Sequence, residues 1–222
     1  MMIPKVKKIL DLSQPVYHNC PGWPTYIPTI VSYEARHVTH DFEAERIEMN
    51  VHTGTHTDAP YHFFKDGIKL EQLDPMRFQG RGVTFDLRGI GQMAIEAKHL
   101  EACGVGVQKG DIALLYTGWG QKRDMTKEYF YEWPFLTAEA AQWLVDRGVK
   151  CVCIDGMSVG GWPEGCGAPA HEVLLGNEVM VVEELYMDEE LLEEPEWYVV
   201  ALPIKLKGFS GAPTRVVAMK LE

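Results

Sequence analysis

Between His52 and Phe63 the chain reads HTGTHTDAPYHF, which sets His52, His56, Asp58 and His62 at spacings of four, two and four with a glycine and a proline among them. Nitrogen and oxygen donors packed this densely suit a divalent cation or an acid/base site, and they constrain the backbone that carries them. The preceding IEMNVH alternates Ile47, Met49 and Val51 with Glu48, Asn50 and His52, which predicts a strand delivering His52 opposite a core face. A straight strand rising about 3.3 Å per residue would hold His52 and His56 about 13 Å apart, too far to share one ion. The chain must therefore bend. Gly54 can supply a positive φ, and Pro60 keeps Ala59 out of the helical region, so that His56 and Asp58 stay extended. The same residues exclude a helical HExxH arrangement. Two imidazoles and a carboxylate leave a coordination position open, as catalytic sites do, and His62 is then spare to act as a general base. Thr55 and Thr57 offer hydroxyls to orient these groups.

The 222 residues can bury a sizeable core. With 21 basic against 32 acidic residues the net charge is -11, which repels a polyanion and excludes nucleic acid as a partner. No membrane span or signal-like apolar segment is found, and the expectation is a soluble, cytoplasmic protein acting on a small molecule. The five cysteines are read as free thiols, with Cys151 and Cys153 in a buried strand.

No repeat or linker divides the chain, so one domain over 1–222 is expected. Strand-like runs are KKILDLS, TIVSYEA, ERIEMNVH, GRGVTFDLR, DIALLYTGW, VKCVCID, VMVVEEL, WYVVALPIKL and TRVVAMKLE. TAEAAQWLVDRG predicts a helix capped by Thr137 with Glu139 as a capping-box acid, APAHEVLLGN a short one, and AIEAKHLEACG a weaker one. The fold class is α/β, a strand-rich mixed sheet with flanking helices. His171 falls in the first turn of the short helix, where the dipole should keep its ring neutral, and VMVVEEL would carry Glu183 back toward it. The acidic run Glu183 to Glu196 otherwise reads as a solvated face.

Taken together these residues resemble the metal-dependent cyclase-type hydrolases, a family that includes the bacterial kynurenine formamidases and the isatin hydrolases. The signature HxGTHxDxPxH is matched by His52, Gly54, Thr55, His56, Asp58, Pro60 and His62. The likeness continues through DLSQPV, LLYTGW, LTAEAAQWLVDRGV, IDxxS at Ile154 to Ser158, PAHEVLL, EEL at Glu183 and LPIKLKGFSGAPTR. The resemblance implies a swivelling β/β/α-like fold, a homodimer or higher homo-oligomer, and one or two divalent ions, Zn2+ or Mn2+. It implies that His52, His56 and Asp58 bind an ion, that Asp58 bridges to a second held by His171 and Glu183, and that His62 is catalytic. Departures from the pattern are Gly160 where many relatives have an acid, the loop GGWPEGCGAPAH, which differs from the formamidase pattern, and Glu184 in place of a common asparagine.

The function expected is hydrolysis of an amide-type C-N bond, with an aryl formamide such as N-formylkynurenine as substrate and Trp23, Phe63 and Trp119 lining an aromatic pocket. The alternatives are a cyclic amide or lactone, a non-catalytic metal-binding protein, and a cysteine hydrolase using Cys166 with His171.

Overall fold

Short apolar strands separated by glycine, proline and aspartate must pair edge to edge to satisfy their backbone groups, and here the pairing closes on itself. The computed structural model describes residues 4–91 and 93–222. Its strands are β1 (Val6–Asp11), β2 (Ile30–Ala35), β3 (Ala44–Glu48), β4 (His56–Asp58), β5 (Gln79–Asp86), β6 (Ala94–Ile95), β7 (Ile112–Tyr116), β8 (Phe135–Leu136), β9 (Cys151–Ile154), β10 (Met180–Glu183), β11 (Trp197–Pro203) and β12 (Gly211–Leu221). The helices are α1 (Ala97–Ala102), α2 (Lys127–Tyr131), α3 (Ala138–Asp146) and α4 (Ala168–Gly176). Eight strands form a sheet in the order β1-β12-β11-β5-β7-β9-β10-β4, and β4 pairs again with β12. Seven of them therefore make a closed ring. The long β12 serves β11 along its middle, β4 near its start and β1 near its end.

The pairings β5–β7, β7–β9 and β9–β10 are parallel, whereas those made by β11, β12 and β4 are antiparallel, so the sheet is mixed. All five residues of β7 and all four of β9 are buried, as strands covered on both faces must be. Alternation sorts them. Ile112, Leu114, Cys151 and Cys153 face one core, while Ala113, Leu115, Val152 and Ile154 face another shared with Ala140, Leu144 and Leu174 of α3 and α4. All five cysteines are free.

The Thr137 hydroxyl accepts the Ala140 N–H at 3.1 Å and starts α3 as expected. Glu139 stands one residue short of the position a capping box requires. In AIEAKHLEACG only Ala97–Ala102 is helical, because Ala94–Ile95 instead pairs with β8. The expected strand through His52 also differs: β3 ends at Glu48, and Ile47, expected in the core, is 52% exposed on a two-stranded ribbon with β2. Alternation there marks a ribbon without a covering layer. Of the acidic run, Lys8 pairs with Glu190 and Glu193 and Arg88 with Glu189 at the surface, while Glu183 and Glu184 are buried. Among the described residues no helix is long and apolar enough to cross a membrane.

Leu114→Ala should lower unfolding free energy by about 2–5 kcal/mol in denaturant titration. Ile47→Ala should change it by no more than about 0.5 kcal/mol, because little apolar area is lost from a core.

Candidate metal centre

The three-residue strand β4 lies between β10 and β12, with His56 opposite both Glu183 and Pro213, and Asp58 opposite Val181 and Gly211. That register sets one carboxylate-bearing strand beside the His56–Asp58 pair. The bend inferred upstream is a turn over 51–55 in which Gly54 has φ of 69°. It folds His52 back until its ring centroid is 5.2 Å from that of His56. Pro60 opens a short 3-10 turn, Pro60–His62, which brings the His62 ring to stack on His52 with centroids 4.0 Å apart. His171 enters from α4, and Phe63 stacks on its ring at 4.3 Å.

Five side chains thus converge in two trios that share Asp58: His52, His56, Asp58 and Asp58, His171, Glu183. Asp58 Oδ1 lies 2.8 Å from His52 Nδ1 and 3.5 Å from His56 Nε2, and Oδ2 lies 3.6 Å from His171 Nε2. Glu183 reaches His56 Nε2 at 3.4 Å and His171 Nε2 at 3.1 Å through its two oxygens. Two donors each 2.0–2.2 Å from one cation at a tetrahedral angle stand about 3.3–3.6 Å apart, close to several of these separations. Asp58 Oδ2 is buried and takes no hydrogen bond among the described residues, a costly state for a carboxylate oxygen unless a cation faces it. The donor set therefore fits a divalent metal.

Backbone carbonyls orient the rings. His56 Nδ1 donates to Gly54 O and His171 Nδ1 to Gly167 O, each at 2.8 Å. A carbonyl only accepts, so these bonds place a proton on Nδ1 and turn Nε2 toward the carboxylates. His52 Nε2 meets Ser210 Oγ at 2.9 Å. The Ser158 hydroxyl donates to Glu183 Oε1 at 3.0 Å, and the Val159 N–H donates to the same oxygen at 2.7 Å. Ser210 acquires meaning only when its loop meets His52. Thr55 and Thr57 were expected to orient the ligands, yet their hydroxyls bond Glu184 O and Thr214 Oγ1. A strand sends alternate side chains to opposite faces, and theirs is the other one.

Burial alone would push the His56 ring down, but hydrogen bonding to Asp58 and Glu183 holds its pKa well above the usual imidazole value. The same contest raises His171, so the helix dipole does not decide its charge as expected; Glu183 and Asp58 outweigh it. Glu183 is pushed up by burial and by Asp58, and brought down to about 2 by His171 and His56. For His62 burial dominates, with His52 and His171 adding to the fall against Asp58 and Glu183, and its pKa drops to about 4. His62 is therefore neutral at physiological pH.

These rings open on a cavity of about 200 Å³ whose other wall carries Trp23, Tyr26, Phe63 and Met157. Trp119 is not part of that wall. The turn at Gly118 sends its indole into a cluster with Tyr129, Trp133 and Phe135, where its N–H donates to Tyr129 O. Tyr26 and Met157 line the cavity although no pattern in the sequence singles them out. Cys166 packs beside the Trp133 cluster, and both His171 nitrogens are taken up by Gly167 and the carboxylates. Gly160 has no room for a side chain, since a Cβ there would lie 2.1 Å from the Gly167 carbonyl oxygen.

Gly160→Ala should displace that carbonyl and cost about 1–3 kcal/mol of unfolding free energy in denaturant titration. Metal-free protein should show a stability maximum in pH. The raised His56 and His171 contribute fully below the ordinary imidazole value of 6.5 and progressively less as pH rises through their folded pKa values. The lowered Glu183 contributes fully above 4.5 and is lost as pH falls toward about 2. In chelator, Tm should therefore fall as the solution is made alkaline, whereas the rise in Tm on adding Zn2+ should grow over the same interval, because metal binding requires unprotonated rings. Parallel trends with and without metal would show that the rings do not bind it.

The sequence model of the family described as Putative cyclase matches residues 10–160. The kynurenine formamidase of Bacillus cereus is 31% identical over 219 residues, covering 96% of this chain and 98% of that protein, and the enzyme of the same name from Bacillus anthracis is 30% identical with the same coverage. Among solved structures, a potential metal-dependent hydrolase with cyclase activity superposes with a TM-score of 0.80 at 27% identity, over 97% of this chain and 98% of that one. Isatin hydrolase A from Labrenzia aggregata gives 0.85 at 22% identity, over 97% and 94%, and so shares the fold. The closed sheet, the donor cluster on β4 and these full-length likenesses agree: the chain belongs to the Putative cyclase family.

Proposed function

We propose that the chain is a metal-dependent amidohydrolase cleaving an aryl formamide such as N-formylkynurenine. The observation that carries this reading is the convergence of five metal-suited donors, one of them an Asp58 oxygen that takes no hydrogen bond among the described residues, with a neutral imidazole, His62, stacked beside them. The kynurenine formamidases, at about 30% identity over nearly the whole chain, support the choice of substrate.

His52, His56 and Asp58 would hold one ion and Asp58, His171 and Glu183 a second, the mixed nitrogen and oxygen set suiting Zn2+ or Mn2+. A divalent cation in such a set supplies Lewis acidity, acidifying water and polarising a carbonyl oxygen. His62 supplies the proton traffic. Among the described residues no hydrogen bond engages its ring nitrogens, and its low pKa keeps a lone pair available to take a proton from the attacking water. The protonated ring then returns that proton to the departing nitrogen. Stacking on His52 and the edge of Phe63 fixes the ring plane while this happens. Trp23 and Phe63 exclude water and offer apolar faces to an aryl group.

One observation favours a second reading, a cyclic amide or lactone: among the described residues no lysine or arginine lines the cavity, so a carboxylate-bearing tail meets none of these cationic side chains there. A turnover panel of N-formylkynurenine and isatin separates the two. His62→Ala should lower kcat by about 10²–10⁴-fold while metal content by elemental analysis stays at the level of the unmodified protein. Loss of metal in parallel with activity would make His62 a ligand and overturn its assigned role.

A further inference from the structure

Two aromatic residues of the cavity wall, Trp23 and Tyr26, are carried by a loop outside the donor run, and one buried ion pair joins that loop to the strand bearing Glu183. Arg123, just after the turn Trp119–Lys122, has a side chain only 5% exposed, and that of Glu184 is 1% exposed. Arg123 Nε donates to Glu184 Oε2 at 3.3 Å, Nη1 to Pro15 O at 2.9 Å and Nη2 to Pro21 O at 2.9 Å. All three faces of the guanidinium fork are engaged, two of them by the segment that leads into Trp23. Glu184 is itself held firmly. It takes φ of 53°, a left-handed conformation unusual for a residue with a side chain; its N–H donates to Gly156 O at 3.0 Å and its carbonyl accepts the Thr55 hydroxyl at 2.6 Å. Thr55 Oγ1 in turn accepts the Gln14 N–H at 2.8 Å, so the network runs from the turn between His52 and His56 to the start of the same loop.

We propose that the Arg123–Glu184 pair is a pin that fixes the Pro15–Tyr26 loop, and with it Trp23 and Tyr26, at a set distance from the donor cluster, which makes Arg123 a positioning residue for substrate fit. A buried ion pair contributes little net stability, because desolvation offsets most of its attraction; its retention is better accounted for by the geometry it imposes. Glu184 lines the cavity with Trp23 and Tyr26, so a shift of this pair moves the wall directly. Lysine is no substitute: one ammonium cannot reach a carboxylate and two carbonyls held apart by a planar fork.

The inference that the pin governs substrate fit rests on the proposed hydrolase activity, and its test has a second readout independent of it. Arg123→Met combined with Glu184→Gln removes the pin without leaving a lone buried charge. In the metal-loaded protein this pair should raise KM by about ten- to a hundredfold with kcat changed less than about threefold, leave metal content unaltered, and speed amide hydrogen exchange over residues 15–26 while that of β7 and β9 is unchanged. Arg123→Lys should raise KM and serves if the double variant does not fold. Unaltered exchange over 15–26, or an unaltered KM despite faster exchange, overturns the proposal. If the unmodified protein hydrolyses neither N-formylkynurenine nor isatin, the proposed substrates fail, and exchange alone decides the pin.

Discussion

The structure turns on the three residues of β4. They close the sheet by pairing with β10 on one side and β12 on the other, and the same pairing sets His56 opposite Glu183. Closure and site assembly are therefore one event. A one-residue slip would send His56 and Asp58 to the other face, where Thr55 and Thr57 now bond Glu184 and Thr214, and the donor cluster would be lost. Gly54 and Pro60 bracket β4 so closely that a longer strand cannot form, and the turn and 3-10 segment on either side deliver His52 and His62.

Burying Asp58 and Glu183 side by side would be prohibitive without compensation. Three imidazoles supply it: the Gly54 and Gly167 carbonyls and Ser210 orient the rings, while the Ser158 hydroxyl and the Val159 N–H hold the Glu183 carboxylate. Protons and a divalent cation are alternative occupants of the same electrostatic well, which couples metal affinity to pH. His62 escapes this competition by lying just outside the carboxylate pairings, stacked on a ligand ring, so that burial rather than charge sets its state.

Much of the site was legible because it is local. A run of twelve residues contains four of its functional side chains, and the steric rules for glycine and proline predict the bend that gathers them. The strands β7, β9 and β10 were legible for a similar reason, as continuous apolar runs require cover on both faces. Alternation misled where no second layer exists: Ile47 has the pattern of a core strand and lies on an exposed ribbon. Without metal, the carboxylates of Glu183 and Asp58, brought by other elements, raise His171 although it stands near a helix start. Trp119 was assigned to the cavity by residue type, and a left-handed Gly118 turns it elsewhere.

By itself the sequence determined the dense run of donor residues, the bend between His52 and His56 and the strand majority, since each depends on neighbours within a few residues. Only the tertiary structure decided that the sheet closes, that Ser210 and Ser158 orient the ligands, that Tyr26 and Met157 wall the cavity, and that Arg123 ties a distant loop to Glu184. Those outcomes depend on register between strands far apart in the chain, and register is set by the whole ring closing at once rather than by any segment within it.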